Sequence, residues 1–375
     1  MNKILSIYLD FVRFSAACIV FLIHARYDRI TGGVLGDLGD YGNDAVMVFF
    51  VLSGFVIAFV ASTSETTLNS YLIARLSRLW SVVIPALILT AIVDYAGSRV
   101  DPRIYDGVWF EVSHPVWRFF ANALFINQLW FLNVRPFSNG PFWSIGYEFW
   151  YYIAFAILHF AKTRMRWVGF AICLCAIGPK IALLIPVWFL GVIAYRVASR
   201  NIISQRVGWA LFLGSIAAYA FFRYFDVPAR FSWRTNAWLG PDFAWSQDFV
   251  SSYAIGALIT ANFIGMAAIQ HHVGSVLRLF ESPIRFLAGY TFSLYLFHYP
   301  LLHFFAAVVP FDHSMPLGMT MILGGTLGTV LIVGTFAERG KTPLRKTLSH
   351  WTNRLADTGK LDGRTDPLPP GQSLK

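Results

Sequence analysis

Charge is what this chain has least of. Asp, Glu, Lys and Arg make up 13% of its 375 residues, hydrophobic side chains 56%, and mean hydropathy is +0.56. That balance excludes an ordinary soluble domain. Cysteine is almost as scarce. Cys18, Cys173 and Cys175 all fall in apolar runs, which excludes a disulfide framework and offers no metal-ligand spacing. The chain also lacks a phosphate-binding glycine loop, a zinc-type His/Cys cluster and any internal repeat. A net charge of +10 would suggest nucleic acid in a soluble protein. Here the tendency of Lys and Arg to gather on the cytoplasmic side of a membrane accounts for it, and no nucleic-acid partner is expected.

What is present is a series of apolar runs long enough to cross a bilayer. They lie near 9–26, 45–62, 76–96, 144–161, 166–178, 181–198, 207–225, 249–269, 286–309 and 316–337. They predict an all-α, polytopic bundle of about ten membrane helices. Pro179, Lys180 and Pro186 interrupt the fifth and sixth runs, so that pair is expected as a kinked hairpin. The first run has no small-residue cleavage site and is expected to be retained. Lys and Arg favour the loops on the N-terminal side by roughly two to one, which predicts both termini in the cytoplasm. The expected organisation is a membrane domain over 1–341 and a basic, then Gly/Pro-rich tail over 342–375 without fixed structure.

Ionisable residues in such helices cost about 2.5–3.5 kcal/mol each at the bilayer centre and therefore face a protein interior or a wet cavity. Asp10, Arg13 and His24 lie within the first run. Asp10 and Arg13, three apart, can pair on one helix face. His24 follows Arg13 by a rotation that returns to within about 20° of the same stripe, about 16 Å further along. One stripe thus offers a cation near one surface and an imidazole towards the other.

This Arg-x10-His pattern resembles the acyltransferase-3 family of integral membrane acyltransferases. Five further strings resemble that family's motifs, in order. FFVLSGF in the second run contains Ser53 and Gly54, small residues suited to close helix packing; Met47 and Val48 stand where relatives often carry an acid. YLIARLSRLW places Arg75 and Arg78 on one face at the cytoplasmic end of the third run. Guanidinium forks of that kind suit phosphate. FWSIGYEFWYY supplies Trp143, Ser144 and Glu148, and YTFSLYLFHYP supplies Tyr295 and His298. Glu338-Arg339 resembles the close of the domain, with Gly340 in place of the usual proline.

The resemblance implies a membrane O-acyltransferase of the cytoplasmic, or inner, membrane. It would transfer an acyl group, commonly acetyl, from acyl-CoA to a carbohydrate or lipid-linked glycan hydroxyl, with acyl-CoA as co-substrate and no metal. Arg13, Arg75 and Arg78 would hold the coenzyme. His24 would act as base, and Glu148, at a similar depth, is expected to orient its ring and raise its basicity. Asp10, Ser53, Trp143, Ser144, Tyr295 and His298 would support substrate or site. Two long loops, 97–142 and 226–248, carry Trp109, Trp117, Trp130, Trp233, Trp238 and Trp245; they suit either an interfacial aromatic belt or a platform for sugar rings. The rival class is a proton-coupled secondary transporter, since buried His, Arg and Glu also mark solute pathways. Absence of an internal repeat counts against it.

Overall fold

The computed structural model describes residues 2–36 and 41–361, and among them every regular element is helical. The first is α1, Lys3–Ala25, opened by the Asn2 side chain accepting the Ile4 N–H at 2.9 Å. One turn, α2 (Asp28–Thr31), ends at Gly32, whose φ of 61° suits glycine. Then come α3 (Tyr41–Thr63), α4 (Leu68–Val100, opened by a Thr67–Ser70 capping box) and, within a long loop, α5 (Pro115–Ala123). The chain continues through α6 (Trp143–Phe160), α7 (Met165–Arg200), α8 (Gln205–Tyr224), α9 (Val227–Leu239) and α10 (Phe249–Leu279). It closes with α11 (Glu281–Gly289), α12 (Thr291–Val308), α13 (Pro316–Arg339) and α14 (Lys341–Leu361).

Every apolar run is helical, though not always as one independent crossing. Among the described residues eight helices are long and apolar enough to span a membrane: α1, α3, α4, α7, α8, α10, α12 and α13. Trp, Tyr and Glu148 make α6 less apolar, yet it buries Tyr147 and Tyr151 in the middle of the bundle. A straight α7 of 36 residues would be about 54 Å long, well beyond a hydrocarbon core of about 30 Å. It is instead the expected hairpin. The backbone breaks at Gly178 (φ 77°) and folds back, bringing Phe170 within 6.4 Å of Phe189, ring centre to ring centre. A Cβ at Gly178 would lie 2.6 Å from the Trp130 backbone, so glycine is required there on two counts.

The tail departs from expectation. Residues 341–361 form α14, which packs against α4. Leu344, Leu348 and Trp351 recur at helical spacing, a local signal that outweighs the charged composition used to predict disorder. The rest of the tail, 362–375, lies outside the described residues.

Alternating helix directions give the bundle two faces. Lys3 pairs with Glu281 at 2.9 Å on the face where α1 begins, here the N-terminal face. Asp44 accepts from Tyr219 at 2.7 Å on the far face. Between them α3 crosses the second limb of α7 so closely that a Cβ at Gly54 would lie 2.1 Å from the Trp188 carbonyl oxygen, and one at Gly191 1.9 Å from that of Val51. Small residues at the crossing are what bring the helices together. Helix α12 is the most enclosed span, passing among α1, α4 and α13.

Candidate active site

Helix α1 turns Asp10, Arg13 and His24 towards α11 and α12. Arg13 Nη2 lies 2.7 Å from Asp10 Oδ1, the pair expected from their spacing, and donates to the Ala288 carbonyl at 3.2 Å. Asp10 also holds Arg285, which donates to Ser6 Oγ at 2.7 Å. Nothing in the sequence marked Arg285, because an arginine in a short connection looks like any other positive-inside anchor.

Arg13 lines a cavity of about 270 Å³ with Arg75, Arg78, Ser53, Glu148 and Glu338. Arg75 is buried and paired with Glu65 at 2.6 Å. Arg78 sits over the Phe292 ring at 5.9 Å and has no ion pair among the described residues. Lys341, at the start of α14, adds its positive field to both. Glu148 accepts from Ser53 Oγ at 2.7 Å and from the Tyr152 hydroxyl at 2.5 Å. Ser53 is therefore a hydrogen-bond donor in the cavity, and the close packing expected of this motif is carried by its neighbour Gly54.

A second cavity, about 690 Å³, opens towards the far face. It is lined by His24, Tyr27, Trp109, Trp143, Trp245 and Tyr299, with Asn43, Asn133 and Gln247 among its polar groups. Trp143 and Trp245 stack at 5.2 Å and 8°. Trp109 stacks on His303 at 4.3 Å, with the Arg29 guanidinium 4.4 Å above it. The two long loops thus supply walls through Trp109 and Trp245, while Trp117, Trp130, Trp233 and Trp238 are exposed elsewhere, as a belt would be.

The partner of His24 is not Glu148. Its Nδ1 lies 2.9 Å from Nε2 of His298, and His298 Nδ1 lies 2.8 Å from the Leu294 carbonyl oxygen. A carbonyl only accepts, so His298 carries its proton on Nδ1 and presents a lone pair at Nε2. His24 must then donate from Nδ1, which leaves His24 Nε2 as an acceptor. Similar depth in the bilayer suggests a pair of His24 with Glu148. Depth says nothing about azimuth, and Glu148 belongs to the arginine-lined cavity.

The same device recurs one turn along. His303 Nδ1 donates to the Tyr299 carbonyl at 2.8 Å, and Arg29 Nε donates to His303 Nε2 at 3.0 Å and, through Nη2, to the Tyr299 hydroxyl at 3.1 Å. Between the two histidines, Pro300 has no N–H for the Leu296 carbonyl. Asn139 Nδ2 donates to that carbonyl instead, at 2.8 Å, tying the loop before α6 to α12. Arg29 and His303 escaped the sequence reading; the one available signal was a second histidine beyond Pro300.

The stripe on α1 implied one shaft from Arg13 to His24. There are two compartments, and Tyr295 lines both. Its hydroxyl donates to the Pro141 carbonyl at 3.0 Å and meets Ser144 Oγ at 2.7 Å.

A family model described as an acyltransferase domain matches residues 6–337. Among curated proteins, the acyltransferase MdmB of Streptomyces mycarofaciens is 26% identical over 153 residues, covering 39% of this chain and 37% of that protein's length. No solved structure matches the chain.

Proposed function

The chain belongs to the acyltransferase-3 family and is a multi-pass membrane acyltransferase, and from that premise we propose that it moves an acyl group, acetyl in the simplest case, from acyl-CoA to a carbohydrate hydroxyl. The observation that carries the reading is the hydrogen-bond chain from the Leu294 carbonyl through His298 to His24. It leaves a basic nitrogen facing a large, aromatic-walled cavity beside a cationic one.

The coenzyme's phosphates suit the N-terminal-face cavity, with this face in the cytoplasm. Arg13 and Arg75 each keep a buried Nε–H without an acceptor among the described residues, a costly condition that a phosphate oxygen relieves. Arg78 adds a guanidinium with no ion pair among the described residues. Glu148 would repel phosphate; held by Ser53 and Tyr152, it suits an amide N–H of the pantetheine arm further in. The sugar suits the far cavity, where Trp109, Trp143 and Trp245 offer ring faces and Asn43, Asn133 and Gln247 offer hydroxyl partners.

In the transfer, the acceptor oxygen attacks the thioester carbonyl carbon as His24 Nε2 takes its proton. The carbon–sulfur bond then breaks, and the imidazolium returns the proton to sulfur, giving the ester and a free thiol. His298 fixes the tautomer throughout. Being neutral, it supplies less stabilisation of the imidazolium than a carboxylate would.

Radiolabelled acetyl-CoA added to membrane vesicles whose N-terminal face points outward tests the proposal. Label should enter a glycan fraction in vesicles carrying the protein and not in those carrying His24→Ala inserted at equal level. Transfer retained by that variant sinks the assignment, and solute flux without any labelling would favour a transporter.

A further inference from the structure

Tyr295 is the one residue, among those described, that lines both cavities. It is buried, and its ring packs edge-on against Phe49 at 5.5 Å. Two hydrogen bonds hold its hydroxyl, both to the start of α6: one with Ser144 Oγ and one to the Pro141 carbonyl. Their neighbours divide cleanly. Trp143 faces the His24 cavity and Ser144 the arginine cavity. Glu148, one turn from Ser144 along α6, lies on the donor side. His298, one turn from Tyr295 along α12, lies against His24. The phenol therefore stands across the line that joins the proposed donor site to the proposed base.

We propose that Tyr295, latched to Ser144 and Pro141, is a movable partition between the donor and acceptor compartments, displaced by the arriving thioester and closed otherwise. This rests on the acyl-transfer reading given above. Two features suit a partition that moves. What holds the phenol is contact of its hydroxyl with the Ser144 side chain and the Pro141 carbonyl, so the movement proposed is a rotation about the Tyr295 side-chain bonds. The latching groups sit on the short turn that leads into α6 (Pro141) and in the first turn of that helix (Ser144), so release asks no helix to move.

The consequence is chemical selectivity. With the partition closed, water in the far cavity has no route to a thioester waiting on the donor side, and the membrane has no continuous wet path through the protein. With it displaced, the thioester fills the gap it opened. Tyr295 is thus a residue that decides between transfer to a sugar and loss to water, in which a water oxygen adds to the carbonyl carbon and the sulfur leaves as free thiol.

The test uses the full chain in sealed proteoliposomes, with Cys18, Cys173 and Cys175 changed to Ser and Ser53→Cys placed in the donor cavity. A membrane-impermeant, anionic methanethiosulfonate is applied to one face at a time. With Tyr295 present, Ser53→Cys should be modified from the N-terminal face at least tenfold faster than from the far face. Adding Tyr295→Ala should bring the two rates within about twofold of each other. Ser144→Ala, a milder change that keeps the ring and guards against misfolding, should speed modification from the far face at least threefold. In the native-cysteine protein, Tyr295→Ala should raise acceptor-free hydrolysis of acetyl-CoA at least tenfold. Equal rates from both faces with Tyr295 in place, or strongly one-sided rates in both variants, would overturn the partition. The labelling pattern does not depend on acyl transfer, so an inactive protein that labels as described refutes the enzymatic reading and leaves the partition standing.

Discussion

At the scale of single residues, the site turns on which atom of His24 is basic. His298 settles that by accepting from Nδ1, and it can do so because its own Nδ1 is committed to the Leu294 carbonyl. Substituting His298→Leu keeps bulk and removes the acceptor, so His24 can occupy either tautomer and either ring orientation. We expect kcat to fall by roughly 10–100-fold with little change in KM for the donor, within the range that general-base catalysis contributes. His298→Gln, whose amide oxygen reaches the position of Nε2, should restore much of the loss. Equal loss in both variants would mean that His298 matters only for packing. Much at this scale was legible beforehand, because motif spacing names residues: Arg13, His24, Ser144, Glu148, Tyr295 and His298 all line or adjoin the two cavities. Their pairing was not, since partners on different helices are set by helix rotation, which no spacing encodes. Glu148 and His298 were both available to His24, and only the packing of α1 against α12 chooses between them.

Among elements, two glycines on different helices make the closest approach in the bundle. Any side chain at Gly54 or Gly191 meets backbone on the partner, which cannot swing aside as a flexible side chain would. Gly191→Ala should therefore cost about 1–3 kcal/mol, the range for overpacking a tight core, and lower the thermal midpoint of the detergent-solubilised protein by several degrees. A midpoint unchanged within error would show that α3 and α7 can part without penalty. The SGF string advertised this crossing from the α3 side only. Its counterpart on α7 lies in an apolar run whose glycines carry no distinguishing pattern. The hairpin in α7 was legible because proline and lysine interrupt it. Helix α14 was not, because its charge masked a helical repeat of Leu344, Leu348 and Trp351. Loops 97–142 and 226–248 were recognised as aromatic, and only their fold separates Trp109 and Trp245, on the cavity, from Trp233 and Trp238, which are exposed.

For the whole molecule the governing feature is the division of chemistry between two faces. Arg13, Arg75 and Arg78, with Lys341 nearby, gather at the N-terminal face beside Glu148 and Glu338, whereas the His24 cavity is walled mainly by aromatic rings and carries Arg26, Arg135 and Asp248 as its charged groups. If the first of these holds a polyanionic donor, its affinity must respond to screening, because at about 0.1 M salt the Debye length is only about 10 Å. Raising potassium chloride from 50 to 500 mM should then increase KM for acetyl-CoA by about threefold or more, while binding at the far cavity changes little. Arg78→Gln removes the guanidinium that has no ion pair among the described residues. It should raise KM for the donor roughly tenfold or more, the cost of losing a charge-assisted hydrogen bond of about 1.5–3 kcal/mol, and flatten the remaining salt dependence. The two effects belong together. A variant that loses affinity yet keeps the full salt response would place Arg78 in the scaffold and leave the phosphates to other cations, and a wild-type KM indifferent to salt would remove the coenzyme from this cavity altogether.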